Sequence, residues 1–213
     1  MTPHVIVIDD FLPNPHELRE RALKLNYSVK GPYPGLNSVE KVSIPGLDDV
    51  VSKLVYQPVR APWTRDYSHG SFRLALAKDD EPGRIHIDNS HWSGILYLSL
   101  PEDCRGGTEF YRHLPTGTDH LPFTEEELRA SGYSSYEELN AQILAKDALD
   151  RSKWELTTMV PMRFNRLVLQ QPQYWHTAGS SFGDSVENGR LVYLMRFFLP
   201  GAAPDRVGEA SDE

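Results

Sequence analysis

The chain has 213 residues, a formal net charge of -8, 39% hydrophobic and 24% charged residues, which places it with soluble globular proteins of one domain. Its acidic balance works against broad attraction to nucleic acid or to an anionic membrane, and the single cysteine, Cys104, excludes an internal disulfide and a cysteine-rich zinc site. No apolar run approaches a membrane span, and the opening MTPHVIVIDDFLP carries acidic residues where a signal peptide would continue its apolar core, so a reducing cytoplasm is expected.

In chain order, HVIVIDDFL reads as a strand. NPHELRERALKL follows as a helix, with Asn14 as N-cap, Pro15 at the first position and Glu17 at the third. Residues 29–62 are turn-rich (KGPYPGLNS, IPGLDD, QPVRAP), with room for a short helix at LDDVVSKLV. SFRLALA, RIHID and GILYLSL read as strands, and RGGTEFYRH as a turn and a further strand. The middle then changes character. TEEELRASGY and SSYEELNAQILAKDAL are capped helical segments, Thr124 pairing with Glu127 and Ser135 with Glu138. Strands resume in RLVLQQP, YWHTAG and GRLVYLMRFFLP. The order predicts a mainly β, α+β protein, an antiparallel sandwich or barrel with an N-terminal helix. It is expected to span residues 1–200 as a single domain with a helical insertion near 113–156, followed by a flexible acidic tail over 201–213.

Side chains two apart on a strand share a face, so His86 and Asp88 project together and can share one ion. A lone H-x-D is weak; solvated polar residues at a strand edge read the same way. His176, after another apolar strand and flanked by aromatics in QYWHTAG, strengthens it. Two histidines and one carboxylate form a facial triad suited to Fe(II), with three coordination positions left open, and zinc accepts the same donors. Zinc proteases usually carry both histidines on one helix, and no H-E-x-x-H occurs. Arg190, opening the strand after His176, has a fixed fork suited to a carboxylate in a dry pocket; by itself it also reads as a surface arginine at a strand start.

H-x-D, then ILYLSL, GGTEFY, NRLVL, a histidine, and Gly-Arg opening an apolar strand, in this order, resemble the Fe(II)/2-oxoglutarate-dependent dioxygenase superfamily, with the prolyl-hydroxylase-like branch nearest. The resemblance covers about Phe72 to Leu199. YPG, GGTEFYRH and FNRLVL also make the chain similar to a bacterial DUF6445-like subgroup. The resemblance implies a double-stranded β-helix, or jelly roll, with His86, Asp88 and His176 as iron ligands and catalytic centre, and Arg190 on the distal carboxylate of 2-oxoglutarate. It implies Fe(II), 2-oxoglutarate and O2 as cofactors, and hydroxylation of an unactivated C–H bond of a small molecule, amino acid or peptide as 2-oxoglutarate is decarboxylated to succinate and CO2. The long stretch between Asp88 and His176 departs from the pattern. Alternatives are a desaturase or cyclase on the same scaffold, or a non-catalytic ligand-binding jelly roll; Asp88 argues against halogenation, which in this superfamily replaces the carboxylate by a small residue. Neither a nucleic acid nor a membrane partner is expected, and a homodimer is compatible with the sequence.

Other residues carry weaker expectations. Arg73 is read either as a helper in binding 2-oxoglutarate or as the partner of an acidic neighbour. Trp92 borders the pocket if the strand runs unbroken from Asp88 through Asn89 and Ser90, and packing in the core is the equal alternative. If Arg190 points into the barrel, Val192, Leu194 and Arg196 share its face, and Arg196 either reads a substrate carboxylate or pairs with an internal acid. His91, His113 and His120 are expected to be solvated, Tyr97 and Tyr193 to pack in the sheet, and YPG at residues 33–35 to be a structural turn rather than a cap on the active-site mouth.

Overall fold

The computed structural model describes residues 3–31, 33–79 and 83–202, so most of the expected acidic tail lies outside the described residues. The elements run β1 (Val5–Ile8), α1 (Pro15–Ala22), β2 (Tyr27–Lys30), β3 (Leu36–Ser38), α2 (Leu47–Val55), β4 (Phe72–Ala75), β5 (Trp92–Tyr97) and β6 (Gly107–His113). There follow α3 (Glu125–Ala130), α4 (Tyr136–Gln142), α5 (Leu144–Asp147), β7 (Trp154–Pro161), β8 (Leu167–Gln170), β9 (His176–Ala178) and β10 (Arg190–Phe197). The strands form a seven-stranded sheet, ordered β1-β8-β5-β10-β4-β3-β2, and a three-stranded sheet, β7-β6-β9, with antiparallel neighbours in both.

Strand β10 shows how the sequence divides the interior. Leu191, Tyr193, Met195 and Phe197 enter the apolar cluster that holds Leu18 and Ala22 of α1 and Leu47, Val51 and Val55 of α2. The alternate residues Val192 and Leu194 turn the other way and join Tyr97, Phe110, Val160 and Val168 in a second cluster between the two sheets. Leu47, Val51 and Val55 recur every four residues, so α2 lays one stripe on the sheet. Asn14 stands at the start of α1 as expected, but its side chain makes no capping bond.

The helical segment connects β6 to β7, which pair directly with each other. Thr124 and Ser135 accept hydrogen bonds from the backbone N–H of Glu127 and Glu138, each at 3.2 Å, so both helix starts are where their caps placed them. The helices have their own apolar cluster, in which Leu128, Leu139, Ile143 and Leu144 meet Ile85, Trp154 and Trp175. Inside this layer His113, expected to be solvated, is buried with its Nε2 at 3.0 Å from Asp147 Oδ2.

Three strands are absent from the sequence reading. β2 and β3 lie in the region read as turns, and β7 has exposed residues from Glu155 to Met159, so it carries no alternating pattern. Conversely, RIHID forms no regular strand; His86 makes an isolated bridge to His176. At the start of β6, a Cβ on Gly107 would sit 2.0 Å from the Val160 carbonyl, so only glycine allows β6 and β7 to approach this closely.

His69 is 1% exposed, packed edge-on against Trp63 and Phe197, and burial lowers its pKa to about 4. The unfolded chain takes up this proton near the ordinary value of 6.5 while the folded chain refuses it, so stability is intact above about pH 6.5 and is lost as pH falls toward 4. The expected slope is up to roughly 1.4 kcal/mol per pH unit for the group. Denaturant melts across this window check it: His69→Gln should flatten the dependence, and an unchanged slope would mean that His69 does not set it.

Candidate metal centre and its cavity

His86 and His176 are joined through their backbones, each N–H donating to the other's carbonyl at 2.9 and 3.1 Å. Their imidazoles lie with ring centroids 4.3 Å apart. The Nδ1 of His86 is 2.9 Å from the Arg84 carbonyl and that of His176 is 2.7 Å from the Tyr174 carbonyl. A carbonyl can only accept, so both rings carry a proton on Nδ1 and turn Nε2 toward Asp88. Those Nε2 atoms lie 3.9 Å from Asp88 Oδ1 and 3.5 Å from Asp88 Oδ2 respectively.

One donor atom from each of the three residues lies within 4.8 Å of the others, close enough to hold a metal ion. The side chains of His86, Asp88 and His176 are only 15%, 8% and 4% exposed. Burial, and then His176, press the pKa of His86 down to about 3, so its imidazole is neutral at neutral pH. Burial alone would raise Asp88, but the Arg196 charge, followed by His176, holds it well below the usual carboxylate range. The neutral His86 imidazole and the ionised Asp88 carboxylate can therefore meet a divalent cation without first losing a proton, with His176 as the third donor.

The cluster opens into a cavity of about 650 Å3. Arg190, Val192, Leu194 and Arg196 all line it, as the alternation of β10 requires. Arg196 Nη2 donates to Asp88 Oδ1 at 2.8 Å, so of the two expectations for this residue the structure takes the internal acid. Arg190 is 2% exposed, and neither its Nε nor its Nη2 has a hydrogen-bond partner among the described residues. Burial lowers its pKa, with Tyr97 and Glu109 opposing. A buried guanidinium with idle donors is costly unless an anion meets it.

Arg73 also lines the cavity, with Nε donating to Asn37 Oδ1 at 2.8 Å and the guanidinium 5.0 Å from the Tyr33 ring centroid. Burial presses its pKa down to about 10, with Tyr33 opposing. Trp92 does not border the cavity. It is 2% exposed in the cluster beneath α1 and α2, because a bend over residues 89–91 breaks the parity that would have carried it to the side of Asp88. Ser93 and Ile95 face the cavity instead. Trp92→Ala is expected to cost about 3–5 kcal/mol of stability while the folded protein keeps its metal affinity; paired denaturation and metal titrations check this, and weakened metal binding with unchanged stability would return Trp92 to the site.

The family described as "Family of unknown function (DUF6445)" matches residues 2–197. The chain belongs to the DUF6445 family. No curated protein matches it. Among solved structures, this DUF6445 chain is similar to HygX from Streptomyces hygroscopicus with nickel, 2-oxoglutarate and hygromycin B bound, at 14% identity and a TM-score of 0.53 over 95% of this chain and 86% of that one. It is also similar to AviO1 from Streptomyces viridochromogenes Tue57, at 14% identity and a TM-score of 0.51 over 95% and 93% of the two chains. At such identity the likeness establishes a shared fold.

Three cavity residues of this DUF6445 chain escaped the sequence reading. Tyr33 lies against His86 with ring centroids 4.2 Å apart and planes tilted by 39°, so the YPG turn does border the cluster. Gly35 makes that possible: its φ is +86°, and a Cβ there would sit 2.3 Å from the Leu74 carbonyl. Thr108, in the GGTEF stretch, accepts from or donates to Tyr97 Oη at 2.6 Å beside Arg190, which makes Tyr97 more than sheet packing. Gln170, at the end of β8, brings a buried Oε1 with no partner among the described residues. No helix among the described residues is long and apolar enough to cross a membrane.

Proposed function

We propose that this chain is an Fe(II)/2-oxoglutarate-dependent dioxygenase of the jelly-roll, prolyl-hydroxylase-like kind, hydroxylating an unactivated C–H bond of a small molecule, amino acid or peptide. The observation that carries the reading is one cavity holding both His86, Asp88 and His176 and the idle buried fork of Arg190. Zinc would be satisfied by the three donors alone; the buried arginine asks in addition for a dianionic chelator such as 2-oxoglutarate. HygX, which shares the fold, holds nickel and 2-oxoglutarate, and that supports the same pair here.

The residues fit the group. His86 and His176 would offer Nε2, their Nδ1–H groups being tied to the Arg84 and Tyr174 carbonyls, and Asp88 would offer the oxygen not held by Arg196. Three donors on one side leave room for a chelating cosubstrate and for O2. Arg190 would grip the distal carboxylate, with the Tyr97–Thr108 hydroxyl pair beside it. When bound, iron and 2-oxoglutarate supply oxidative decarboxylation by O2, with one oxygen atom passing to succinate and the other to a C–H bond. The protein's share is position and dryness: Ile95, Val192 and Leu194 give the cavity an apolar wall, and Tyr33 covers one face of His86.

Anaerobic purification, Fe(II) reconstitution and exposure to O2 with 2-oxoglutarate test the reading through succinate release. Slow succinate formation that requires both iron and O2 is expected without any substrate, and faster formation with the right one. Iron-loaded protein that leaves 2-oxoglutarate unchanged under every substrate class tried would overturn it in favour of a binding module.

A further inference from the structure

The charge of the cavity opposes the charge of the chain. Its lining carries Lys30, Lys41, Arg65, Arg73, Arg190 and Arg196 against only Asp66 and Asp88, in a chain whose net charge is -8. The proposed contents do not cancel this excess: a divalent cation and a dianionic cosubstrate add nothing net. Of the four arginines, Arg65 is exposed to solvent, and two of the other three have assigned partners, Arg196 on Asp88 and Arg190 on the distal carboxylate.

Arg73 is left over. Among the described residues no carboxylate lies within ion-pair distance of it; its contacts are the neutral Asn37 oxygen and the face of Tyr33. A purely structural arginine in the same protein looks different. Arg19, 5% exposed, spends its two terminal nitrogens on the Leu98 and Glu187 carbonyls and lines no such cavity. Lys41 stands on the cavity wall with its ammonium donating to the Thr64 and Tyr67 carbonyls, so it adds charge to the cavity while Arg73 keeps unspent donors among the described residues. Cations fixed along a partly apolar wall focus a positive potential inward. A volume of about 650 Å3 sits within the roughly 300–1,000 Å3 of small-molecule sites, so a second ligand has room beside 2-oxoglutarate.

We infer, resting on the proposed dioxygenase reading, that the substrate of this cavity is an anion whose carboxylate or phosphate group is held by Arg73. Tyr33 links this anion position to the metal cluster, since its ring lies against both the Arg73 guanidinium and His86. The anionic group therefore anchors the substrate while its apolar part lies toward His86. This changes the part given to Arg73 in the sequence reading, from cosubstrate to substrate.

The test uses full-length protein loaded anaerobically with Fe(II) and saturating 2-oxoglutarate, titrated calorimetrically with phenylacetate, benzyl phosphate and the neutral phenylacetamide. At least one acid is expected to bind on the order of tenfold tighter than the amide, and the tighter acid names the group. Arg73→Gln should remove the preference and Arg73→Lys should restore part of it, which separates charge from misfolding. Equal binding of acids and amide, or a preference that survives in Arg73→Gln, would overturn the inference. So would a loss in Arg73→Gln of 2-oxoglutarate affinity with the acid preference kept. Repeating the titration on metal-free protein isolates this claim from its parent: an Arg73-dependent acid preference there, in a protein that never binds 2-oxoglutarate, supports the anion site and removes only the dioxygenase reading.

Discussion

Asp88→Ala is expected to abolish iron-dependent turnover of 2-oxoglutarate, because two imidazoles hold the metal less tightly than two imidazoles and a carboxylate, and hold it in the wrong geometry. The same change strips Arg196 of its partner at 2.8 Å. An uncompensated charge in a largely buried position costs about 3–5 kcal/mol, so stability should fall together with metal affinity. The two losses can be separated. In Asp88→Ala combined with Arg196→Met the lone charge is gone, and denaturant melts should recover while metal analysis and succinate release do not. Full turnover in Asp88→Ala with confirmed iron would remove the carboxylate from the ligand set.

Arg190→Ala should leave iron content close to wild type and raise the 2-oxoglutarate requirement strongly. Losing a charge-assisted bidentate contact while the cosubstrate carboxylate stays buried costs on the order of 2–4 kcal/mol, roughly 30- to 900-fold in affinity. Its idle Nε and Nη2 mean that no internal pair is broken by the change, so stability should hold or improve. Anaerobic titration of 2-oxoglutarate into both proteins checks this; equal affinities would put the cosubstrate elsewhere.

How much of this site was written in the sequence depends on what fixed each residue. The three metal-binding candidates were legible because few residue types ligate metals, and β10 because its alternation settles which side chains turn inward. RIHID shows the limit of such patterns. Ile85 and Ile87 do turn away from His86 and Asp88, toward the cluster under the helices. The backbone, however, bonds to three places in turn: Ile85 to Ala148, His86 to His176 and Asp88 to Pro172. It is extended but belongs to no strand ladder, which alternation alone cannot reveal. Trp92 failed for a related reason, a bend at residues 89–91 that resets parity. The YPG turn allowed a cap on the active-site mouth only as the weaker reading, since the contact of Tyr33 with His86 depends on Gly35 nestling against β4, a tertiary approach with no local signature.

The most direct measurement is anaerobic titration of Fe(II)-loaded protein with 2-oxoglutarate, followed by visible absorption. The account predicts a charge-transfer band that rises to saturation with the cosubstrate, is absent in His176→Ala, and needs far more 2-oxoglutarate in Arg190→Ala. A protein carrying its full iron that shows no band at saturating 2-oxoglutarate would contradict the central claim that this cavity brings iron and the cosubstrate together.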